Sequence, residues 1–208
     1  MENETLWGTK TIMSISYDDQ EIIKDILYLH CNDARIDVDP TYSKGQFYRH
    51  GIPPPVHKFD IKPQAKGVIE ADCRNLPLKN DSVRTIMFDP PFVIGGASYD
   101  ESKKGSTIIM KRFSAFTSFD ELKELYQPSI NEFYRILCKG GVLIFKCQDC
   151  IASSKQYFTH VYTMSWAIEV GFYPKDLFIL LAKNRLLDGR KQQHARKFHS
   201  YYWVFKKQ

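Results

Sequence analysis

Apolar and polar positions alternate along this chain at two different periods. Between residues 17 and 30, Ile22, Ile23, Ile26, Leu27 and His30 fall at helical spacing and predict a first helix. Four short runs follow, at 35–38, 56–61, 67–71 and 83–88, each with an aspartate at or just past its end: Asp39, Asp60, Asp72 and Asp89. Ser118 with Glu121 reads as a capping box, opening a helix that runs to about residue 137, kinked or divided at Pro128. Gly140 and Gly141 are expected to end it, because glycine takes the left-handed C-terminal conformation without strain. Residues 142–146 form a continuous apolar run suited to a buried parallel strand. Residues 155–170 read as another helix closed by Gly171, and 177–182 and 201–205 as a final, antiparallel pair of strands. Strands alternating with helices predict an α/β fold around a mainly parallel sheet.

Composition narrows this picture. The chain has 208 residues, enough for one domain with a sizeable core. No apolar run approaches the roughly 20 residues of a membrane helix, and the first ten residues lack a basic stretch followed by an apolar one. Five cysteines include one C-x2-C, Cys147 with Cys150, but no second half-site completes a zinc set. A reduced, cytoplasmic protein without a metal is the expectation. Net charge is +5, and residues 183–208 alone carry eight Lys/Arg against one acid. That segment holds +7, the remainder −2, a distribution suited to meeting phosphates.

In an open parallel sheet the carboxyl ends of the strands form the ligand crevice. Aspartates there serve as ligand contacts or as helix caps and turn residues, and either role fits any single one. The most specific of these positions is Asp89-Pro90-Pro91-Phe92. A carboxylate, two prolines and an aromatic leaving a strand make a rigid corner with hydrogen-bond acceptors beside a flat apolar face. That corner suits an amino group carried on a flat ring.

The tetrad resembles the (D/N/S)-P-P-(Y/F/W) motif of methyltransferases that modify exocyclic amino groups, above all the DNA adenine-N6 and cytosine-N4 enzymes. Residues 38–45 resemble the D-P-F-x-G-S-G cofactor motif of those enzymes, with Ser43 at the first glycine and Lys44 after it. Residues 132–143 resemble the helix-to-strand passage RVLKPGGxL of class I methyltransferases, and 199–205 the ending HEYxLVF, with Ser200 in place of the acid. The resemblance implies a Rossmann-like class I methyltransferase fold: a seven-stranded, mainly parallel sheet with an antiparallel last strand and helices on both faces. It implies one domain over 1–208, with residues 1–16 as an extension and 93–117 and 184–199 as substrate-facing loops.

The implied cofactor is S-adenosyl-L-methionine, held by Asp39, Pro40, Thr41, Tyr42 and Gly45, by Asp60 at the ribose, and by Asp72 and Cys73 at the adenine end. Asp89, Pro90, Pro91 and Phe92 would be catalytic. Lys103, Lys104, Lys111 and Arg112 in the first loop, and Arg190, Lys191, Arg196 and Lys197 in the second, would contact phosphates. The expected activity is methyl transfer to adenine N6 in DNA. The alternatives are an RNA base amino-methyltransferase, a cytosine-N4 enzyme, a protein-amide methyltransferase and a non-catalytic nucleic-acid-binding relative. No room remains for a separate recognition domain, so target choice falls to the 93–117 loop, a partner subunit or a second copy.

Overall fold

The structure is a computed structural model that describes residues 11–32, 35–94, 116–183 and 193–208. The elements are β1 (Ile15–Ser16), α1 (Asp19–His30), β2 (Val38–Asp39), a 3-10 turn (Gln46–Tyr48), β3 (His57–Asp60), β4 (Ile69–Glu70) and β5 (Val83–Phe88). After these come α2 (Phe119–Ile136), β6 (Leu137–Cys147), β7 (Cys150–Ala152), β8 (Lys155–Tyr157), α3 (Thr159–Val170), β9 (Phe172–Leu181) and β10 (His199–Lys207). Eight strands form one sheet in the order β1-β9-β10-β6-β5-β2-β3-β4. Strands β4, β3, β2, β5 and β6 are parallel, and β10 is inserted antiparallel between β6 and β9. The eighth strand is β1, which pairs in parallel with β9. The 1–16 segment is therefore not wholly an extension: its end belongs to the sheet.

The period-2 pleat sorts the core into two layers. Ile86, Phe88, Leu143, Phe145, Trp203 and Phe205 project toward α2 and α3. Met87, Val142, Ile144, Tyr202 and Val204 project to the opposite face, where Ile22, Ile23, Ile26 and Leu27 of α1 pack. On α2, Leu122, Tyr126, Ile130 and Phe133 form one buried stripe at helical spacing. Phe88 meets Phe133 and Phe145 edge-to-face at centroid separations of 4.8 and 4.9 Å.

Helix caps follow the sequence closely. Asp18 accepts from the Gln20 backbone N–H, and Ser118 from that of Glu121. The Glu121 carboxylate turns to the backbone N–H and hydroxyl of Thr117 rather than completing the box on Ser118. Helix α2 continues through Pro128.

Two sequence expectations are corrected. Helix α2 stops at Ile136, and Gly140 and Gly141 lie inside β6, where the β5–β6 register shifts. Gly140 has φ +80°, and a Cβ on Gly141 would stand 2.8 Å from the Cys138 carbonyl, so the glycines serve this bulge. Residues 155–157 belong to the β7–β8 hairpin, and α3 begins only at Thr159. The hairpin turns on Ser153 and Ser154, both at positive φ. Gly171 closes α3 in the left-handed conformation as expected. Among the described residues, no helix is long and apolar enough to cross a membrane.

Candidate active site

Strand order reverses between β2 and β5, which lie side by side with Val38 opposite Ile86. From β2 the sheet grows outward through β3 and β4, and from β5 it grows the other way through β6. Such a switch point leaves a crevice beyond the carboxyl ends of the two strands. Asp39 ends β2, Asp60 ends β3, and Asp89 follows β5 by one residue. Asp72 lies two residues beyond β4.

Thr41 joins the two central strands. Its backbone N–H and hydroxyl donate to Asp39 Oδ1 at 2.8 and 3.3 Å, and its hydroxyl accepts from the Asp89 backbone N–H at 3.0 Å. Asp39 Oδ2 accepts from the Tyr48 hydroxyl at 2.7 Å. Asp39 is 2% exposed. Burial pushes its carboxyl up to about 7, and the nearby Asp89 charge pushes the same way, against the lowering effect of the Tyr48 and Thr41 hydrogen bonds.

The 40–45 loop is held from β3. The Ser43 backbone N–H donates to Asp60 Oδ2 at 2.8 Å, and the Lys62 N–H donates to Oδ1 at 2.8 Å. Pro40 is buried and Lys44 exposed. Ser43 has φ +48°, a conformation that glycine adopts more readily. Gly45 has φ +66°, which strains any other residue, and a Cβ there would lie 2.5 Å from Tyr42 Cζ and displace the ring. That ring stacks on Tyr48 at 5.4 Å and lies under Lys58 Nζ at 5.4 Å. Beyond β4, Asp72 accepts from the backbone N–H and guanidinium of Arg74, whose hydrogen bonds and charge hold the carboxyl below its usual range. Cys73 is buried with its thiol 3.2 Å from Ser129 Oγ, and burial pushes it up to about 11.

At the corner itself, Pro90 is buried and Pro91 and Phe92 are half-buried. The Tyr126 hydroxyl, from α2, donates to the Pro91 carbonyl at 3.0 Å. The Asp89 side chain is 21% exposed, but its Oδ1 is fully enclosed and has no hydrogen-bond partner. Lys146 Nζ stands 3.5 Å from that oxygen. Burial raises the Asp89 carboxyl, the Lys146 charge lowers it, and the Asp19 charge raises it again. A cleft of about 680 Å³ opens at the start of α1, lined by Asp19, Gln20, Gln46, Arg49 and Lys183 among others, and none of the sequence-predicted cofactor or catalytic residues lines it.

Just past the corner, Val93 accepts from the Phe116 N–H at 3.0 Å, and Ile94 bridges to Phe116. The two ends of the 93–117 loop thus meet beside Phe92. Lys103, Lys104, Lys111, Arg112, Arg190 and Lys191 lie outside the described residues. Arg196 and Lys197 are half-buried in the segment entering β10, where the Phe198 carbonyl accepts from Ala182.

Sequence reasoning missed Lys146 and Tyr126. Lys146 ends the apolar run of β6, and only the strand register shows that it meets Asp89. It also missed a polar network at the end of β6. There Asp149 Oδ1 lies 2.6 Å from His160 Nδ1, with the His160 ring stacked on Tyr201 at 4.2 Å. His199 and Tyr201 share a hydrogen bond of 2.9 Å, so His199 sits in this network. Cys147 and Cys150 are buried free thiols, and no cluster of metal-ligating side chains occurs among the described residues.

No protein-family model and no curated protein matches this chain. Solved structures do share its fold. TrmN from Thermus thermophilus is 16% identical, over 93% of this chain and 50% of that one, with a TM-score of 0.50. A candidate DNA modification methylase, also from Thermus thermophilus, is 15% identical, over 73% of this chain and 54% of its own, with a TM-score of 0.46. A TehB-like SAM-dependent methyltransferase from Corynebacterium glutamicum is 13% identical, over 84% of this chain and 80% of its own, with a TM-score of 0.45. The chain spans about half the length of the first two. At these identities the likeness is one of architecture: the chain has the α/β, Rossmann-like fold of class I SAM-dependent methyltransferases.

Proposed function

We propose that this protein transfers a methyl group from S-adenosyl-L-methionine to the exocyclic amino group of a nucleobase, with adenine N6 in DNA as the substrate. One observation carries the reading. The Asp89-Pro90-Pro91-Phe92 corner leaves the strand at the switch point, tied through Thr41 to the loop that the fold uses for its cofactor.

The residues present fit such a cofactor. Asp39, Asp60 and Asp89 gather at the carboxyl ends of β2, β3 and β5, where an open sheet of this order binds its ligand, and the buried side-chain oxygen of Gln20 on α1 has no hydrogen-bond partner. Ser43 takes the left-handed turn in place of the family's glycine, so its side chain does not redirect the loop. Asp60 would hold the ribose hydroxyls and Asp72, with the Cys73 backbone, the adenine end, while residues Asp39 to Gly45 would line the remainder. The cofactor supplies, when bound, an electrophilic methyl carbon.

An aromatic amine is a weak nucleophile because its lone pair is spread into the ring. The Asp89 carboxylate and the Pro90 carbonyl would accept hydrogen bonds from the two amino hydrogens. That arrangement draws the lone pair back onto nitrogen and aims it. Tyr126 fixes the Pro91 peptide, so the corner needs no rearrangement to act. Phe92 would stack on the base. The methylated nitrogen, now acidic, loses its proton to Asp89 or to water, so Asp89 need not be a strong base. A base in a duplex must first leave its stack, and the 93–117 loop begins where it would arrive. The basic loop residues would hold the backbone, with a partner subunit or a second copy completing target choice.

The test is transfer of a tritiated methyl group from S-adenosyl-L-methionine to DNA and to RNA, wild type beside Asp89→Ala. Label on adenine that disappears in the variant is the expected result. Label on cytosine or on RNA alone would move the substrate assignment. Equal labelling by both proteins would remove Asp89 from the mechanism.

A further inference from the structure

The pleat brings three residues to one point. In the β5–β6 ladder Phe88 is level with Phe145, so Asp89 and Lys146, one residue on, are level too. In the β6–β10 ladder Lys146 is directly opposite Tyr202. Phe88 and Phe145 face α2, while Tyr202 faces α1, so Asp89 and Lys146 turn to the α1 side.

Lys146 is 11% exposed, an expensive place for an ammonium group unless it is compensated. Its Nζ lies 4.9 Å from the Phe47 ring centroid and 5.3 Å from that of Tyr202, and 3.5 Å from Asp89 Oδ1. Two aromatic faces thus hold the cation without supplying a competing acceptor. The enclosed Oδ1 faces the cation, so the 21% exposure of the Asp89 side chain lies on its other atoms.

We propose that Lys146 is a positioning residue that keeps Asp89 ionised and holds one carboxylate oxygen, so that the other is free to accept from the substrate's amino group. This rests on the methyltransferase reading for its role, but not for its electrostatics. The other ionisable groups around Asp89 all oppose its charge or are neutral. Asp39 on β2 and Asp19 on α1 repel it, while Tyr48 of the 3-10 turn, Tyr126 of α2 and Tyr202 of β10 stay protonated well above neutral pH. Lys146 is the one cation among these groups.

The experiment follows the Asp89 carboxyl by ¹³C NMR with labelled aspartate, assigned by its loss in Asp89→Asn. Lys146→Gln should raise the Asp89 titration midpoint by about one pH unit or more, and Lys146→Arg should restore it. The acid limb of kcat against pH should move upward with it, while KM for S-adenosyl-L-methionine stays put. Should Lys146→Gln fail to fold, Lys146→Met replaces it in the same titration of the Asp89 carboxyl. An Asp89 midpoint unchanged in Lys146→Gln, or in Lys146→Met where that variant replaces it, overturns the proposal. A shifted midpoint in a protein that methylates no nucleobase would keep the electrostatic pairing and defeat the proposed activity instead. Methylation by the wild type with an unmoved midpoint would do the reverse.

Discussion

The two halves of the sheet are built differently. On one side of the switch point, β6, β10 and β9 have 11, 9 and 10 residues and are held by long ladders and a buried aromatic core. On the other, β2, β3 and β4 have 2, 4 and 2 residues. There the chain is fastened by aspartates bonded to backbone N–H groups: Asp37 to Arg84 and Thr85, Asp39 to Thr41, Asp60 to Ser43 and Lys62, Asp72 to Arg74. The long half stores stability in apolar area. The short half spends polar side chains on loop shape, and those loops are the ones proposed to hold the cofactor. Changes in the first half should be felt as stability, and changes in the second as altered binding and pH response.

The largest effect should come from the long half. Phe145 is fully buried against Phe88 and Tyr126, and Phe145→Ala should cost about 3–5 kcal/mol, read as a lower urea midpoint. A loss under about 1 kcal/mol would break the contrast between the halves.

Asp39 gives a smaller effect with a definite sign. Its carboxyl is raised from 3.8 to about 7 in the folded protein, so the folded state binds the proton more tightly than the unfolded one. Stability from this group is full below about pH 4 and is lost as pH rises through about 7. Asp39→Asn should flatten that decline when urea midpoints are compared across the interval. A decline that persists unchanged in the variant would place its origin elsewhere.

The smallest effect should be at Ser43. Ser43→Gly relieves a left-handed φ of +48° and should stabilise by under about 1 kcal/mol, with the thermal shift caused by S-adenosyl-L-methionine preserved. Loss of that shift would show that the Ser43 side chain itself contacts the cofactor and would sharpen the account of the loop.

The two halves were also unequally legible. Residues 83–88 were read from the sequence with the observed bounds, and the Ser118 cap was visible because a capping residue announces itself locally. The strand-terminal aspartates could be placed on the rim, but not their partners, because Asp60 to Ser43 is a tertiary contact. The pattern of residues 155–157 extends the following helix instead of showing strand β8, since Ser153-Ser154 lacks the Asn-Gly chemistry that marks a tight turn. Strand β1 was invisible for a related reason: two residues carry no period, and its partner β9 lies more than 150 residues away. Lys146 read as the polar end of an apolar strand. Its meeting with Asp89 follows from register, which a single strand's pattern does not contain.

The central claim is that Asp89 holds a nucleobase amine at the switch point. It is tested most directly by digesting DNA to nucleosides after incubation with S-adenosyl-L-methionine and the protein, and measuring N6-methyldeoxyadenosine by mass spectrometry. The account predicts the product with wild type and a loss of about a hundredfold or more with Asp89→Ala at unchanged cofactor affinity. Undiminished product from Asp89→Ala, folded and cofactor-bound, would contradict it.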